Sequence, residues 1–231
     1  MVVELNATLV EKKDLTHNTK LFFLQLDDSF SFIPGQFIMV NADPSDRSLS
    51  RAFSIASLPN DQNILELCIK ILPTGKVSSL LDALPLKSRL SVKGPFGHFI
   101  LRSKEKELVF IAAGTGIAPF RSILHSLAKG NSKTPISLFY RFKSDADKLF
   151  YGELEALKQK LPQLKIVYSV SNPSPAWSGE SVRIHECITK YIKNPEKKDV
   201  YICGPPMMVQ ETIPALVGLG FNSDTIYKEA W

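Results

Sequence analysis

The chain has 231 residues, 44% of them hydrophobic and 22% charged, with a formal net charge of +5. That suits one or two globular domains with a sizeable core. No apolar run is long enough to span a bilayer, and the start MVVELNATLV lacks a basic stretch followed by an apolar one, so the reading is a soluble, cytoplasmic protein. Three cysteines, Cys68, Cys187 and Cys203, are an odd number without metal spacing, which argues against a disulfide framework and for a reducing compartment. Basic pairs recur at Lys12-Lys13, Lys104/Lys106 and Lys197-Lys198, as a solvated surface or as steering toward an acidic partner. No basic stripe interleaved with aromatics points to nucleic acid.

In chain order, the first ~100 residues read as strands and turns. The candidates are VVELNATLV, KLFFLQL, QFIMVNA, RAFSIAS, ILELCIK and RLSVKG. Pro34-Gly35, Pro59-Asn60-Asp61 and Pro73-Thr74-Gly75 punctuate them. Six short strands so close together predict a small antiparallel barrel, interrupted by one helix near KVSSLLDAL.

After Gly94–Gly97 the period changes. ELVFIAA is nearly all apolar, as in a buried parallel strand. APFRSILHSLAKG follows as a helix, with Ile117, Phe120, Ile123, Leu124 and Leu127 on one face and Gly130 at its end. Then come strand ISLFYRF, helix YGELEALKQKL, strand KIVYSVS, helix VRIHECITKYI and strand DVYICG. A helix over PMMVQETIPALVGLG, kinked or broken at Pro214, precedes a last strand at TIYKE. This alternation predicts an open parallel α/β sheet with helices on both faces. The domains are 1–102, a barrel, and 103–231, an α/β domain with an aromatic tail.

Ligands of such a sheet bind at the carboxyl ends of its strands. Two glycine turns lie there: Gly114-Thr115-Gly116 in IAAGTGIAP, and Cys203-Gly204-Pro205 in ICGPPMM. Glycines let a ligand approach the backbone, and a helix N-terminus offers free N–H groups to a phosphate. One such turn is weak evidence; two in one sheet favour a nucleotide.

Four segments stand in order: Arg51-Ala52-Phe53-Ser54, Gly75-Lys76-Val77-Ser78, GTGIAP and CGPPM. With the barrel-then-α/β order they resemble the ferredoxin–NADP(H) reductase superfamily over essentially the whole chain. The resemblance implies an FAD-binding barrel and an NAD(P)-binding domain. Hydride would pass from the nicotinamide to flavin N5, and single electrons onward to a separate carrier of the ferredoxin or flavodoxin type. Arg51 would pair with the flavin's phosphate. Phe53 would lie on the isoalloxazine where the family usually has Tyr, and Ser54 would hydrogen-bond N5. Gly75, Lys76, Val77 and Ser78 would hold the FAD pyrophosphate. Gly114, Thr115 and Gly116 would border the nicotinamide and its pyrophosphate. Cys203 would sit beside nicotinamide C4, with Gly204, Pro205 and Met207 completing that turn. Glu229-Ala230-Trp231 repeats the family's glutamate–x–aromatic ending. Trp231 would therefore cover the flavin face opposite Phe53 and swing away for transfer, and Glu229 would serve a proton route.

Relatives that use NADPH often carry Ser-Arg after the third strand of this domain; here Ser171-Asn172 stands there, and AWSGESVRI resembles NADH-using oxygenase reductases. Arg141 and Arg183 are cations that could reach a 2′-phosphate, so the lean to NADH is slight. The chain lacks the Cys-x₄-Cys-x₂-Cys run of a plant-type iron–sulfur cluster, and no metal site is expected. His17, His98, His125 and His185 are scattered and receive no role. A monomer is expected. Two alternatives stand: an electron-transfer subunit of a larger redox complex, and a nucleotide-binding module without turnover.

Overall fold

The computed structural model describes residues 2–43, 45–60, 62–103 and 106–230. The chain divides into two units, residues 1–100 with 121–126, and residues 101–120 with 127–231.

The first unit is an antiparallel six-stranded sheet. Its strands are β1 (Val3–Thr16), β2 (Thr19–Leu26), β3 (Phe37–Asn41), β4 (Ser50–Ser54), β5 (Ile64–Lys70) and β6 (Arg89–Phe96). All six expected strands form. Their order is β4-β3-β6-β1-β2-β5. The two outer strands meet: Ile55 bridges Leu67, and the Ala56 N–H donates to the Glu66 carbonyl at 2.8 Å. That closure removes exposed strand edges and makes the sheet a barrel. The period-2 pattern of each strand sends Leu9, Phe22, Leu24, Ile38, Val40 and Val92 into one buried core. Each such side chain contributes roughly 1.5–3 kcal/mol of burial.

Helix α1 (Lys76–Ala83) closes one part of that core. Val77, Leu80 and Leu81 share a face by their 3- and 4-residue spacing and pack there with Leu84. Its C-terminal carbonyls are capped from the β1–β2 hairpin: Lys12 Nζ donates to the carbonyls of Asp82 (2.7 Å) and Leu84 (2.9 Å). Lys20 pairs with the Asp82 carboxylate at 2.6 Å. Segment 121–126 belongs to this unit as well. Arg121 donates to the Ala56 carbonyl (2.8 Å) and pairs with Glu66 (2.7 Å), and Ser122 donates to the Ser57 carbonyl (2.6 Å).

The second unit is a parallel five-stranded sheet of β7 (Glu107–Ala113), β8 (Ile136–Phe142), β9 (Leu164–Val170), β10 (Lys198–Gly204) and β11 (Ile226–Ala230), in the order β11-β10-β7-β8-β9. Helices α2 (Ala118–Lys129), α3 (Tyr151–Lys160), α4 (Ile184–Tyr191) and α5 (Pro206–Gly218) join them. On one face Val109, Ile111, Val200 and Ile202 pack with Ile184 and Ile188 of α4 and with Val209 and Leu216 of α5. On the other, Phe110 stacks on Phe120 of α2 at 4.9 Å. Alternate residues of one strand thus serve opposite layers.

Of the kink or break expected at Pro214, the break does not occur. Helix α5 runs unbroken through Pro214. The proline removes only the bond to the Gln210 carbonyl, and both residues are exposed, so water can satisfy that acceptor.

Candidate nucleotide-binding and redox site

In the first unit, β4 carries Arg51 through Ser54, paired along β3 as Val40↔Arg51, Met39↔Ala52, Ile38↔Phe53 and Phe37↔Ser54. Arg51 is exposed, Ala52 and Phe53 are half-buried, and Ser54 is buried. Phe53 rests against the barrel core. The sequence-adjacent pair Phe53 and Ser54 therefore presents a ring and a hydroxyl to opposite faces of the strand.

Gly75 stands at the N-cap of α1. A Cβ there would lie 2.6 Å from Ser78 Oγ and 3.0 Å from Leu72 Cβ, so only glycine fits this tight turn. Ser78 also serves the turn itself. Its hydroxyl accepts from the Leu72 N–H (3.2 Å) and donates to the Gly75 carbonyl (3.3 Å), so it locks the turn. What the turn can offer an anion is the backbone: Lys76, Val77 and Ser78 lie in the first helical turn, whose N–H groups have no partner within the helix.

In the second unit the two glycine turns are in contact. A Cβ on Gly116 would fall 2.3 Å from the Cys203 carbonyl oxygen and 2.9 Å from Gly204 Cα. The first turn thus rests on the second because residue 116 has no side chain. Gly114 has φ +53° with open space around its missing Cβ, which leaves its surface accessible to a ligand. Thr115 is half-buried between them. The reason for the contact is register: β7 and β10 are neighbours, with Ile111 beside Ile202 and Ala112 beside Cys203, so both strands end together. A Cβ on Gly204 would lie 2.6 Å from Met208 Cε, the movable end of a side chain, while Pro205 and Met207 are exposed at the start of α5.

Cys203 is fully buried, and its neighbour on β11 is Glu229. Glu229 Oε2 is buried with no hydrogen-bond partner among the described residues. Burial pushes this carboxyl up to about 7, because nothing nearby stabilises its charge. A thiol and a neutral-range acid thus stand side by side at the strand ends. Trp231 lies outside the described residues.

The proposed 2′-phosphate cations differ in availability. Arg141 is partly engaged: its Nη1 donates to Ser169 Oγ (2.6 Å) and to the Val182 carbonyl. Arg183 is exposed, 3.7 Å from Glu211. Ser171 is exposed and its N–H donates to the Phe142 carbonyl at 3.0 Å.

One organising residue, Glu180, escaped the sequence reading. Its N–H donates to the Tyr168 carbonyl and its carbonyl accepts from the Val170 N–H, so it adds to the edge of β9. Its carbonyl also accepts from Trp177 Nε1 at 2.9 Å. Lys190 and Tyr191 donate to its carboxylate and hold it below the usual range. This strap fixes the segment between Ser171 and Arg183. Nothing local signals it, because the pairing is long-range.

Two family models match. Residues 6–100 match an oxidoreductase FAD-binding domain and residues 110–213 an oxidoreductase NAD-binding domain. The chain is 31% identical over 226 residues to NADH-cytochrome b5 reductase 1 of Dictyostelium discoideum, covering 95% of this chain and 79% of that one. It belongs to the ferredoxin–NADP(H) reductase superfamily. It therefore carries the FAD-binding and NAD-binding domains of a reductase. Another superfamily relative is the anthranilate 1,2-dioxygenase electron transfer component of Acinetobacter baylyi, 31% identical over 210 residues. That match covers 88% of this chain but only 60% of the relative's length. Among solved structures, the cytochrome b5 reductase domain of Ulva prolifera nitrate reductase superposes with a TM-score of 0.86 at 25% identity, covering 98% of this chain and 97% of that one. No helix among the described residues is long and apolar enough to cross a membrane.

Proposed function

We propose that this chain takes reducing equivalents from NADH into FAD and releases them one electron at a time to a separate carrier protein of the ferredoxin or flavodoxin type, working as a cytoplasmic monomer. The observation that carries this reading is the contact between Gly116 and the Cys203–Gly204 backbone beside Glu229. It builds a side-chain-free cradle for a dinucleotide at strand ends and puts a thiol and an acid at the same place.

The residues fit FAD in the first unit. Arg51 is exposed and able to meet a phosphate with its fork of donors. Phe53 supplies a ring face, Ser54 a hydroxyl, and the first turn of α1 a row of N–H donors. Bound FAD supplies the step from two-electron to one-electron chemistry. The chain's own contribution is to bind, orient and exclude water. In the second unit Gly114, Thr115 and Gly116 and the start of α5 hold the dinucleotide, and the buried Cys203 keeps that end dry. Glu229, ionising near neutrality, can hold or release a proton there. The internal hydrogen bonds of Arg141 and the absence of arginine after Ser171 favour NADH; Arg183 is the more available candidate for a 2′-phosphate. Trp231 keeps its sequence-based assignment as a cover for the flavin. Deleting it should tighten nicotinamide binding and alter turnover; loss of stability with both unchanged would instead make it a staple of β11.

The test is the spectrum of the purified protein. Flavin bands bleached anaerobically by NADH, and faster reduction of an artificial one-electron acceptor with NADH than with NADPH, are expected. Protein that takes up no FAD would overturn the proposal.

A further inference from the structure

At the opposite edge of the second unit's sheet, the layer of helices is incomplete. The strands have seven residues, about 23 Å at 3.3 Å per residue. Helix α4 has eight, about 12 Å at 1.5 Å per residue, and ends at Tyr191. The amino ends of β7 to β10 are left uncovered on that face, roughly 20 Å from the glycine turns. A cavity of about 260 Å³ results.

Its floor is apolar: half-buried Val167 and Ile192, with the buried Phe139 beneath. Its rim is cationic. Lys165, Lys193 and Lys198 line it, and the one acid there, Glu107, pairs with Lys198. Two other rim groups are occupied: Asn194 Oδ1 accepts from the Glu196 N–H (2.8 Å), and the Tyr191 hydroxyl donates to Glu180. Lys165 and Lys193 have no acidic partner among the described residues, and the Ser137 hydroxyl has no partner there either. The cavity therefore holds two uncompensated positive charges above an apolar floor.

We infer that this cavity binds a small amphipathic organic anion: a carboxylate on a ring-sized apolar body. The floor requires an apolar body to replace water. A volume just below the usual range for ligand pockets limits that body to about one ring. Phe139 and Tyr191, with ring centroids 6.4 Å apart, favour a flat one. Lysines are point charges without the fork that selects phosphate. A monoanionic carboxylate answers all of these features.

Benzoate is the probe, with benzyl alcohol as its neutral counterpart and phenyl phosphate as its dianionic one. The FAD-loaded, ¹⁵N-labelled full chain is titrated and its amide shifts followed. Benzoate is expected to give saturable shifts at Phe139, Val167 and Lys193, with a Kd roughly in the millimolar range. Lys165→Glu with Lys193→Glu, and benzyl alcohol with the parent protein, should each weaken binding about tenfold or more, and Ser137→Leu should abolish it by filling the cavity. NADH-driven acceptor reduction should not change in these variants, which separates this site from the redox site. The charge-reversed variant alters exposed residues, so it carries the test if Ser137→Leu fails to fold. Absence of saturable shifts up to roughly tens of millimolar benzoate would overturn the inference. So would equal binding of benzyl alcohol, tighter binding of phenyl phosphate, or unchanged affinity after charge reversal.

Discussion

Replacing Glu229 by glutamine should make the protein more stable at high pH and leave its stability at low pH almost unchanged. Burial lifts this carboxyl from 4.5 to about 7. At about 1.36 kcal/mol per pH unit, the ionised form in the folded chain costs about 3 kcal/mol, and partial exposure of the residue trims this to about 2–3 kcal/mol. The sign follows from which state holds the proton. Below 4.5 the carboxyl is neutral in both states and there is no penalty. As pH rises from 4.5 to about 7, the unfolded chain ionises while the folded chain keeps its proton, so stability is progressively lost. Above about 7 the full penalty applies. Glutamine has the shape of the neutral acid and never ionises, so its stability does not follow this slope. Urea denaturation of parent and Glu229→Gln at about pH 4.5 and about pH 9 should show a gain of roughly 2–3 kcal/mol at the higher pH and under ~0.5 kcal/mol at the lower. The pH profile of kcat should lose its inflection near 7 in the variant. An equal stability change at both pH values would refute the reasoning, since it would mean the carboxyl is not ionising in a buried place.

Gly116→Ala should cost about 2–4 kcal/mol and weaken NADH binding at least about tenfold, since the new Cβ would sit 2.3 Å from the Cys203 carbonyl; melting curves and an NADH titration read both. Arg141→Met should cost about 1 kcal/mol by removing two hydrogen bonds, since Ser169 Oγ still donates to the Val182 carbonyl, with the NADH-to-NADPH ratio of kcat/KM unmoved; a large swing in that ratio would return Arg141 to the cofactor. Lys12→Met should cost about 1 kcal/mol and raise the Kd for FAD severalfold, because it uncaps the helix whose other end we propose meets the FAD phosphates; fluorescence titration of the FAD-stripped chain with FAD measures it.

The fold was readable because its two halves obey different periods. Val109, Ile111, Val200 and Ile202 lie in runs too apolar for a half-exposed strand, which is how both-face burial looks in sequence. Barrel strands such as Thr19–Leu26 announce themselves by alternation and by flanking turns. The break expected at Pro214 did not occur, because exposure of the residue four positions earlier cannot be read locally. Among the glycines singled out by position, Gly116 has a packing reason: it leaves room for the Cys203–Gly204 backbone. Ser78 and Arg141 have internal partners that the sequence does not announce, for a common cause. Both side chains have the chemistry a phosphate wants, yet each finds a partner in its own unit, and partners set by tertiary geometry leave no mark on a short motif.

That contrast bears on how such a site is made. Side chains that could bind a phosphate are partly spent on holding the turns: Ser78 on the loop before α1, Arg141 on the strap that Glu180 fastens. In the proposed site the groups left for dinucleotides are then largely backbone N–H donors at helix starts, beside glycines at 75, 114, 116 and 204. Backbone donors carry no rotamer entropy to lose on binding, so a cradle built from them needs little reorganisation. They also read the pyrophosphate common to both nicotinamide cofactors and are blind to the 2′ position. Choice between NADH and NADPH must therefore rest on the few side chains beyond β8 and β9. With Arg141 partly engaged and Asn172 where an arginine would stand, Arg183 is the more available of the proposed cations, and its nearest charged neighbour is Glu211. Glu211, 3.7 Å away and exposed like Arg183, competes with a 2′-phosphate for that guanidinium, which adds to the case for NADH.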